Sequence, residues 1–284
     1  MSRRLPSLPP RPAGAHKGAF GTCLLIGGSR GMMGAIVLAG RAAMRSGVGL
    51  TRIAVPGTWM GVLPVAVPEA TSVGMEEEEG ALAAAALEPL LAEAEDATAV
   101  GVGPGLSRLG SAPALVRALV PRLPRPAVLD ADALNAFEGR IEELREARTP
   151  LVLTPHPGEA GRLLGCTSSE VQADRGRAAS ELAERSGATI VLKGAGTRIQ
   201  AGKDSFVKET GNPGMATGGS GDVLTGILTG LLAQGMTPLD AARLAVAAHG
   251  LAGDLAAKSG SQAGLIAGDL VRKLPEAWRR LGGD

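Results

Sequence analysis

Short, unbroken apolar runs alternate with segments of helical period along almost the whole chain. "TCLLIGG" from Thr22 predicts a strand, and "GAIVLAGRAAMRS" the helix that follows it. "LTRIAVP" predicts a second strand. "EEEEGALAAAALEPLLAEAE" has helical composition throughout, with residues 76–79 as a solvated first turn favoured by the helix dipole. "ATAVGVG", "PAVLDAD", "PLVLTPH" and "ATIVLKG" predict further strands; "SAPALVRALVPRL" and "VQADRGRAASELAERSG" predict helices between them. The strand runs are continuously apolar rather than alternating, as expected of parallel strands covered on both faces. Strand–helix alternation of this kind implies a doubly wound α/β sheet.

The last third departs from that rhythm. In "GTRIQAGKDSFVKET" two β-like runs flank Gly-Lys-Asp, which predicts an edge hairpin. Two helices are then expected. The first carries Val223, Leu224, Ile227, Leu228, Leu231 and Leu232 at helical spacing, begins near Ser220 or Gly221 and stops at Gly235. The second opens with Thr237 as N-cap, Pro238 in the first helical position and Asp240 in the first turn. No internal repeat or linker interrupts the chain. Residues 1–15 read as a Pro-rich arm and 16–284 as one domain.

The first of these helices is preceded by "NPGMATGGSGD", and here chemistry enters. Unsatisfied N–H groups at a helix start, with the dipole behind them, bind anions. Glycines let a phosphate approach the backbone. Gly218, Gly219, Ser220 and Gly221 therefore form a candidate anion hole. Asp222 sits in the first turn beside it, where a carboxylate would repel a phosphate. The acid makes sense as a base that takes the proton of a hydroxyl attacking phosphorus. The plainer alternative is a tight glycine turn capped by Asp222.

Composition narrows the partners. The 284 residues carry a net charge of +1 and no basic stripe, and aromatic residues make up 2% with no Tyr, so base stacking and nucleic-acid binding have no support. Cys23 and Cys166 form no metal or redox motif; Cys23 reads as a small core residue. No signal peptide or membrane-spanning run is present, and the expected location is the cytoplasm.

Other constellations compete. No Walker motif or first-unit GxGxxG occurs. "GGSRG" (residues 27–31) matches a nucleophile elbow, with Asp130 or Asp132 and then His156 in hydrolase order, so a serine hydrolase using Ser29 is a rival of a different class. His156 with Glu159 is a candidate metal pair, but three His and no matching Cys set speak against zinc; the alternative is a helix start shaped by Pro155 and Pro157. Lys193 is a phosphate contact or a solvated lysine, and His249 a packed histidine. "GVGPGL", "LDADALN", "LTPHPGEAGRL" and "VLKGAGTRI" each end a strand in a polar, glycine-rich turn, where open α/β sheets bind ligands.

As an ordered set, "HKGAFGTCLLIGGS", "GVGPGL", "VLDADALNAF", "LTPHPGEAGRLLG", "VLKGAGTRI" and "GNPGMATGGSGDVLTGILTGLLAQG" resemble the ADP-dependent NAD(P)H-hydrate dehydratase family, from about His16 nearly to the end. The resemblance implies a ribokinase-like three-layer αβα sandwich with a mostly parallel sheet. It implies removal of water from the S-epimer of NADH or NADPH hydrate, with ADP as co-substrate giving AMP and phosphate. On it, Ala35, Gly105, His156 and Asp222 contact the hydrate, with Asp222 catalytic. Lys193, Gly194, Ala195, Gly196, Thr197 and Gly221 hold the nucleotide. Mg²⁺ is expected with the phosphates, its protein ligands unassigned. A homotetramer is expected. Since the chain begins at the dehydratase domain, epimerase activity is expected to reside in a separate protein. Met33 departs from the aromatic residue frequent in relatives, which bears on substrate packing and not on the chemistry. A small-molecule kinase of the same fold, such as a hydroxyethylthiazole-kinase-like enzyme, and a nucleotide-binding regulator without turnover are the alternatives.

Overall fold

The computed structural model describes residues 4–282. Nine strands form the central sheet: β1 (Thr22–Ile26), β2 (Leu50–Pro56), β3 (Thr71–Met75), β6 (Ala99–Val102), β7 (Ala127–Leu129), β8 (Leu151–Leu153), β9 (Thr189–Leu192), β10 (Thr197–Ala201) and β11 (Asp204–Lys208). The small hairpin of β4 (Glu77–Glu78) and β5 (Ala81–Leu82) stands apart. Strand order is β11-β10-β9-β8-β7-β6-β1-β2-β3; all neighbours are parallel except β9–β10 and β10–β11. The order reverses between β1 and β6, the switch point where a crevice opens beyond the strand ends.

The helices are α1 (Met33–Arg45), α2 (Leu63–Ala66), α3 (Leu87–Glu95), α4 (Ala112–Leu119), α5 (Asp132–Asn135), α6 (Pro157–Leu164), α7 (Ser168–Ala173), α8 (Arg175–Ser186), α9 (Ser220–Ala233), α10 (Pro238–Ser259) and α11 (Ala267–Arg280). The strands carry apolar residues on both faces, so each face needs a cover. Cys23 and Leu25 join one core with residues of α1, α9, α10 and α11, whereas Leu24 and Ile26 join the other with α3, α4, α6 and α8. This is the three-layer arrangement expected. Leu5 and Leu8 of the Pro-rich arm pack against the first core, and Arg11 lies 4.1 Å over the Phe20 ring. Among the described residues no helix is long and apolar enough to cross a membrane.

Three departures from the sequence reading have local causes. The acidic stretch does not start a helix. Glu79 and Gly80 turn the chain at positive φ, and Glu78 accepts from the Ser111 N–H (2.9 Å) and hydroxyl (2.6 Å). Those long-range bonds hold a hairpin, and α3 begins only at Leu87. The predicted helix over 171–187 breaks at Asp174, whose side chain caps α8. A third C-terminal helix, α11, follows the two expected.

Candidate active site

Three parallel strands deliver the polar side chains. Asp130 directly follows β7, Lys193 directly follows β9, and His156 lies three residues past β8 as the N-cap of α6. Facing them is the start of α9, where Gly219 at φ +88° lets the chain turn into the helix. Together Asp130, His156, Glu159, Lys193, Gly194, Gly219, Gly221 and Asp222 line a cavity of about 440 Å³. The predicted base, nucleotide lysine and substrate histidine thus line one cavity.

A lysine and three acids set the electrostatics. Lys193 Nζ lies 2.6 Å from Asp130 Oδ1 and 3.7 Å from Glu159 Oε2. Asp130, 1% exposed, also accepts from Thr225 Oγ1 at 2.7 Å. Burial alone would raise the Asp130 carboxyl, but Lys193 and the hydrogen bonds of Lys193, Thr225 and Thr154 hold it below its ordinary value. Burial likewise opposes the Lys193 charge, yet Asp130 and Glu159 outweigh it and raise the ammonium. Glu159 is raised by burial and by Asp130, with Lys193 opposing. Asp222 is pushed up to about 7, first by burial and then by Asp130, against the pull of Lys193. A carboxyl placed there can exchange a proton near neutrality.

His156 is half-exposed. Its Nδ1 accepts from the N–H groups of Gly158 (3.0 Å) and Glu159 (3.3 Å), and Glu159 accepts in return from the His156 N–H at 2.8 Å. With Nδ1 occupied as acceptor, the neutral ring carries its proton on Nε2, 3.3 Å from Glu159 Oε1. Burial, Lys193 and Arg162 lower its pKa. The Pro-flanked helix start and the histidine that faces the cavity are therefore one device. Among the described residues no three His, Cys, Asp or Glu gather for an ion.

At the start of α9, the Ser220 N–H turns back to the Thr217 carbonyl (3.4 Å), and Val223 N–H bonds Gly219. Among the described residues no acceptor engages the N–H groups of Gly218, Gly219, Gly221 or Asp222. Of the residues 218–221 expected to form an anion hole, Gly218, Gly219 and Gly221 carry open N–H groups, as does Asp222. Ser220 accepts at its carbonyl from His249 Nε2 (2.9 Å). His249 is buried and lowered to about 4, so it is a packed neutral histidine as expected. A Cβ on Gly221 would lie 3.3 Å from Lys193 Nζ, so the ammonium borders the hole.

The remaining predicted positions fall beside this cavity, not in its lining. Gly105 adopts φ +65° against α1, where a Cβ would meet Ala35 Cβ at 3.2 Å and the Met32 carbonyl at 2.3 Å. Ala35 and Gly105 therefore form one contact at the β1–β6 switch point. Buried Ser29 donates to the Gly105 carbonyl at 2.8 Å. With its hydroxyl spent there, Asp130 bound to Lys193 and Thr225, and Asp132 accepting from the Ser107 N–H (3.1 Å) and Asn135 Nδ2 (2.9 Å), the hydrolase triad does not form. Gly194 lines the cavity, while Ala195, Gly196 and Thr197 lie further along the loop, tied by Thr197 Oγ1 to the Gly194 carbonyl at 2.9 Å. Arg175 of α8 staples that loop, donating to the carbonyls of Leu192 (3.1 Å), Lys193 (3.2 Å) and Gly196 (3.4 Å). Asp254 of α10 does the same for the loop before α9, accepting from Gly211 N–H (3.0 Å) and Asn212 Nδ2 (3.1 Å). Arg175, Asp254 and Thr225 had no local motif; only Asp130, at a strand end, carried a signal.

Comparison with known proteins places this geometry. The profile of the NAD(P)H-hydrate dehydratase family matches residues 23–276. A bifunctional NAD(P)H-hydrate repair enzyme of Moorella thermoacetica is 47% identical over 277 residues, covering 96% of this chain and 52% of the relative. The chain thus spans about half the length of such bifunctional relatives. An ADP-dependent (S)-NAD(P)H-hydrate dehydratase of Neisseria meningitidis is 42% identical, covering 92% of this chain and 86% of the relative. The crystal structure of an ADP/ATP-dependent NAD(P)H-hydrate dehydratase from Bacillus subtilis, co-crystallised with ATP/Mg²⁺, superposes with TM-score 0.81 at 34% identity, covering 97% and 95% of the two chains.

Proposed function

Because this chain belongs to the NAD(P)H-hydrate dehydratase family, whose fold and motif order it shares, we propose that it converts the S-epimer of NADH or NADPH hydrate back to the dihydronicotinamide, consuming ADP and releasing AMP and phosphate. The observation that carries this is Asp222 in the first turn of α9, beside unengaged N–H groups and the Lys193 ammonium, on one cavity. An anion site with a built-in base suits phosphorylation of a hydroxyl.

In the first step the Asp222 carboxylate takes the proton of the hydrate's ring hydroxyl. The hydroxyl oxygen bonds to the β-phosphorus of ADP as the bond to the bridging oxygen breaks, and AMP leaves. The N–H groups of Gly218, Gly219, Gly221 and Asp222 and the ammonium of Lys193 meet the charge on the transferring group. In the second step the carbon–oxygen bond breaks, phosphate leaves with the electron pair, and the adjacent ring carbon gives up a proton to restore the double bond. Asp222 near pKa 7 can release the proton it took, ready for the next cycle.

His156 lines the cavity as a polar contact for the hydrate, and on the family resemblance Ala35 and Gly105 contact it from the β1–β6 switch point. Residues 193–197 hold the adenine nucleotide, fixed by Arg175. Mg²⁺ would be carried by the nucleotide's phosphates and water rather than by a carboxylate cluster of the described residues, and when bound it would neutralise phosphate charge. On the family resemblance we further take the enzyme as a cytoplasmic homotetramer acting beside a separate epimerase; light scattering tests the assembly.

The test incubates the protein with NADH hydrate, Mg²⁺ and either ADP or ATP, following the absorbance of restored NADH. Recovery with ADP and none without nucleotide is the expected result, and the ATP arm fixes the donor. A stable phosphorylated hydrate with no NADH would identify a kinase instead.

A further inference from the structure

Lys193 has a problem that the family assignment does not solve. A lysine side chain is flexible, and a charge that meets a transferring phosphoryl group must be held still. Its own loop cannot do this, because residues 194–197 are anchored through their backbone. The anchor is Asp130, which takes the ammonium at 2.6 Å and is itself locked by the Thr225 hydroxyl at 2.7 Å. Thr225 is fully buried and lies four residues after Gly221 and three after Asp222, on their face of α9.

We propose that Asp130 and Thr225 are positioning residues: Thr225 orients Asp130, and Asp130 fixes the Lys193 ammonium over the anion hole for the β-phosphoryl group of ADP. One helix thereby sets both the N–H groups and, through a carboxylate on the opposite strand, the cation they work with. Donor counting supports this. An ammonium has three N–H bonds. One goes to Asp130, and Glu159 at 3.7 Å lies beyond hydrogen-bond reach, so two have no partner among the described residues, on a side chain that lines the cavity. A buried ion pair kept for stability alone is replaceable by apolar packing. This one instead opens on the phosphate site.

The proposal rests on the dehydratase reading, and the experiment separates the two. ADP and AMP binding are measured by calorimetry for wild type, Thr225→Val, Thr225→Ser and Asp130→Asn, alongside turnover of NADH hydrate. Thr225→Val keeps the side chain's shape and drops the hydroxyl. It is expected to weaken ADP about tenfold, as for loss of a hydrogen bond to a charged group, while leaving AMP unchanged. Thr225→Ser is expected to restore ADP binding, and Asp130→Asn to weaken it further. Thr225→Val with wild-type ADP affinity, an equal loss for AMP, or a Thr225→Ser no better than valine would overturn the positioning role. If Thr225→Val does not fold, the near-isosteric Asp130→Asn decides on the same ADP-against-AMP split. A wild type that binds ADP but leaves the hydrate untouched removes the dehydratase reading and leaves the positioning role to the binding series. A wild type that binds no ADP removes both.

Discussion

Replacing Asp222 by Asn should make the enzyme more stable and almost inactive, and the two effects share one cause. Folding lifts this carboxyl from 3.8 to about 7, chiefly by burial and by the nearby Asp130 charge. At 1.36 kcal/mol per pH step, that corresponds to roughly 4 kcal/mol against the ionised form, an upper figure because Asp222 keeps part of its surface in water. The sign follows from linkage. Below pH 4 both the folded and unfolded carboxyl are protonated, and nothing is lost. Between 4 and 7 only the unfolded chain ionises, so wild-type stability falls as pH rises, and above 7 the full cost is present. The amide carries no such cost. The Asn variant should therefore melt several degrees above wild type at pH 8, with the gain shrinking steadily at pH 6 and 5. Ligand-free thermal melts across that range provide the measurement. Turnover of NADH hydrate should fall by about 10² to 10⁴, the usual contribution of a positioned base. For wild type, kcat/KM should rise with pH through about 7 as Asp222 ionises in the free enzyme. An Asn variant that melts below wild type at pH 8, or whose gain does not vary with pH, would refute the burial of a reluctant charge at this site.

Three further outcomes are expected. Arg175→Ala releases the loop carbonyls of Leu192, Lys193 and Gly196, and should raise the KM for ADP about tenfold with a smaller change in kcat; an unchanged KM would separate this staple from nucleotide binding. Ser29→Ala removes one buried hydrogen bond, worth about 1 kcal/mol, and should keep most turnover; loss of turnover would return Ser29 to the chemistry. Gly226→Ala places a Cβ 2.1 Å from the Ala39 carbonyl and 2.9 Å from Ala42 Cβ, so α1 and α9 must separate; a loss of about 3 kcal/mol or more in denaturant unfolding is expected, and wild-type stability would contradict the contact.

What could be read from the sequence was whatever the chain decides locally. β2 matches its predicted bounds because Leu50–Pro56, closing on the apolar Ile53–Pro56, is bracketed by Gly49 and Gly57. The start of α9 at Ser220 and the Thr237 cap follow from glycine and capping chemistry within a few residues. The acidic stretch failed for the opposite reason. Its fate depends on Glu78 reaching Ser111 and on Glu77 reaching the Thr58 hydroxyl (2.8 Å), bonds that no local pattern encodes. β3, "TSVGM", is a partly polar edge strand without the apolar run that revealed the others. The site divides in the same way. The glycine-rich turns and Asp222 were visible as motifs. The Lys193–Asp130–Thr225 chain was not, since its members come from two strand ends and a helix interior.

The close seating of α9 on α1 has a consequence for motion. Gly226 and Gly230 bring no side chain of their own to the contact, and each faces a carbonyl of α1. A contact of backbone on backbone opens only when the core on that face opens, so the amides of both helices should be among the last to exchange with solvent. The open N–H groups at the head of α9 are then set before any ligand arrives. Whatever closing the proposed cycle requires falls to the strand-end loops across the cavity, where Arg175 holds the carbonyls of Leu192, Lys193 and Gly196.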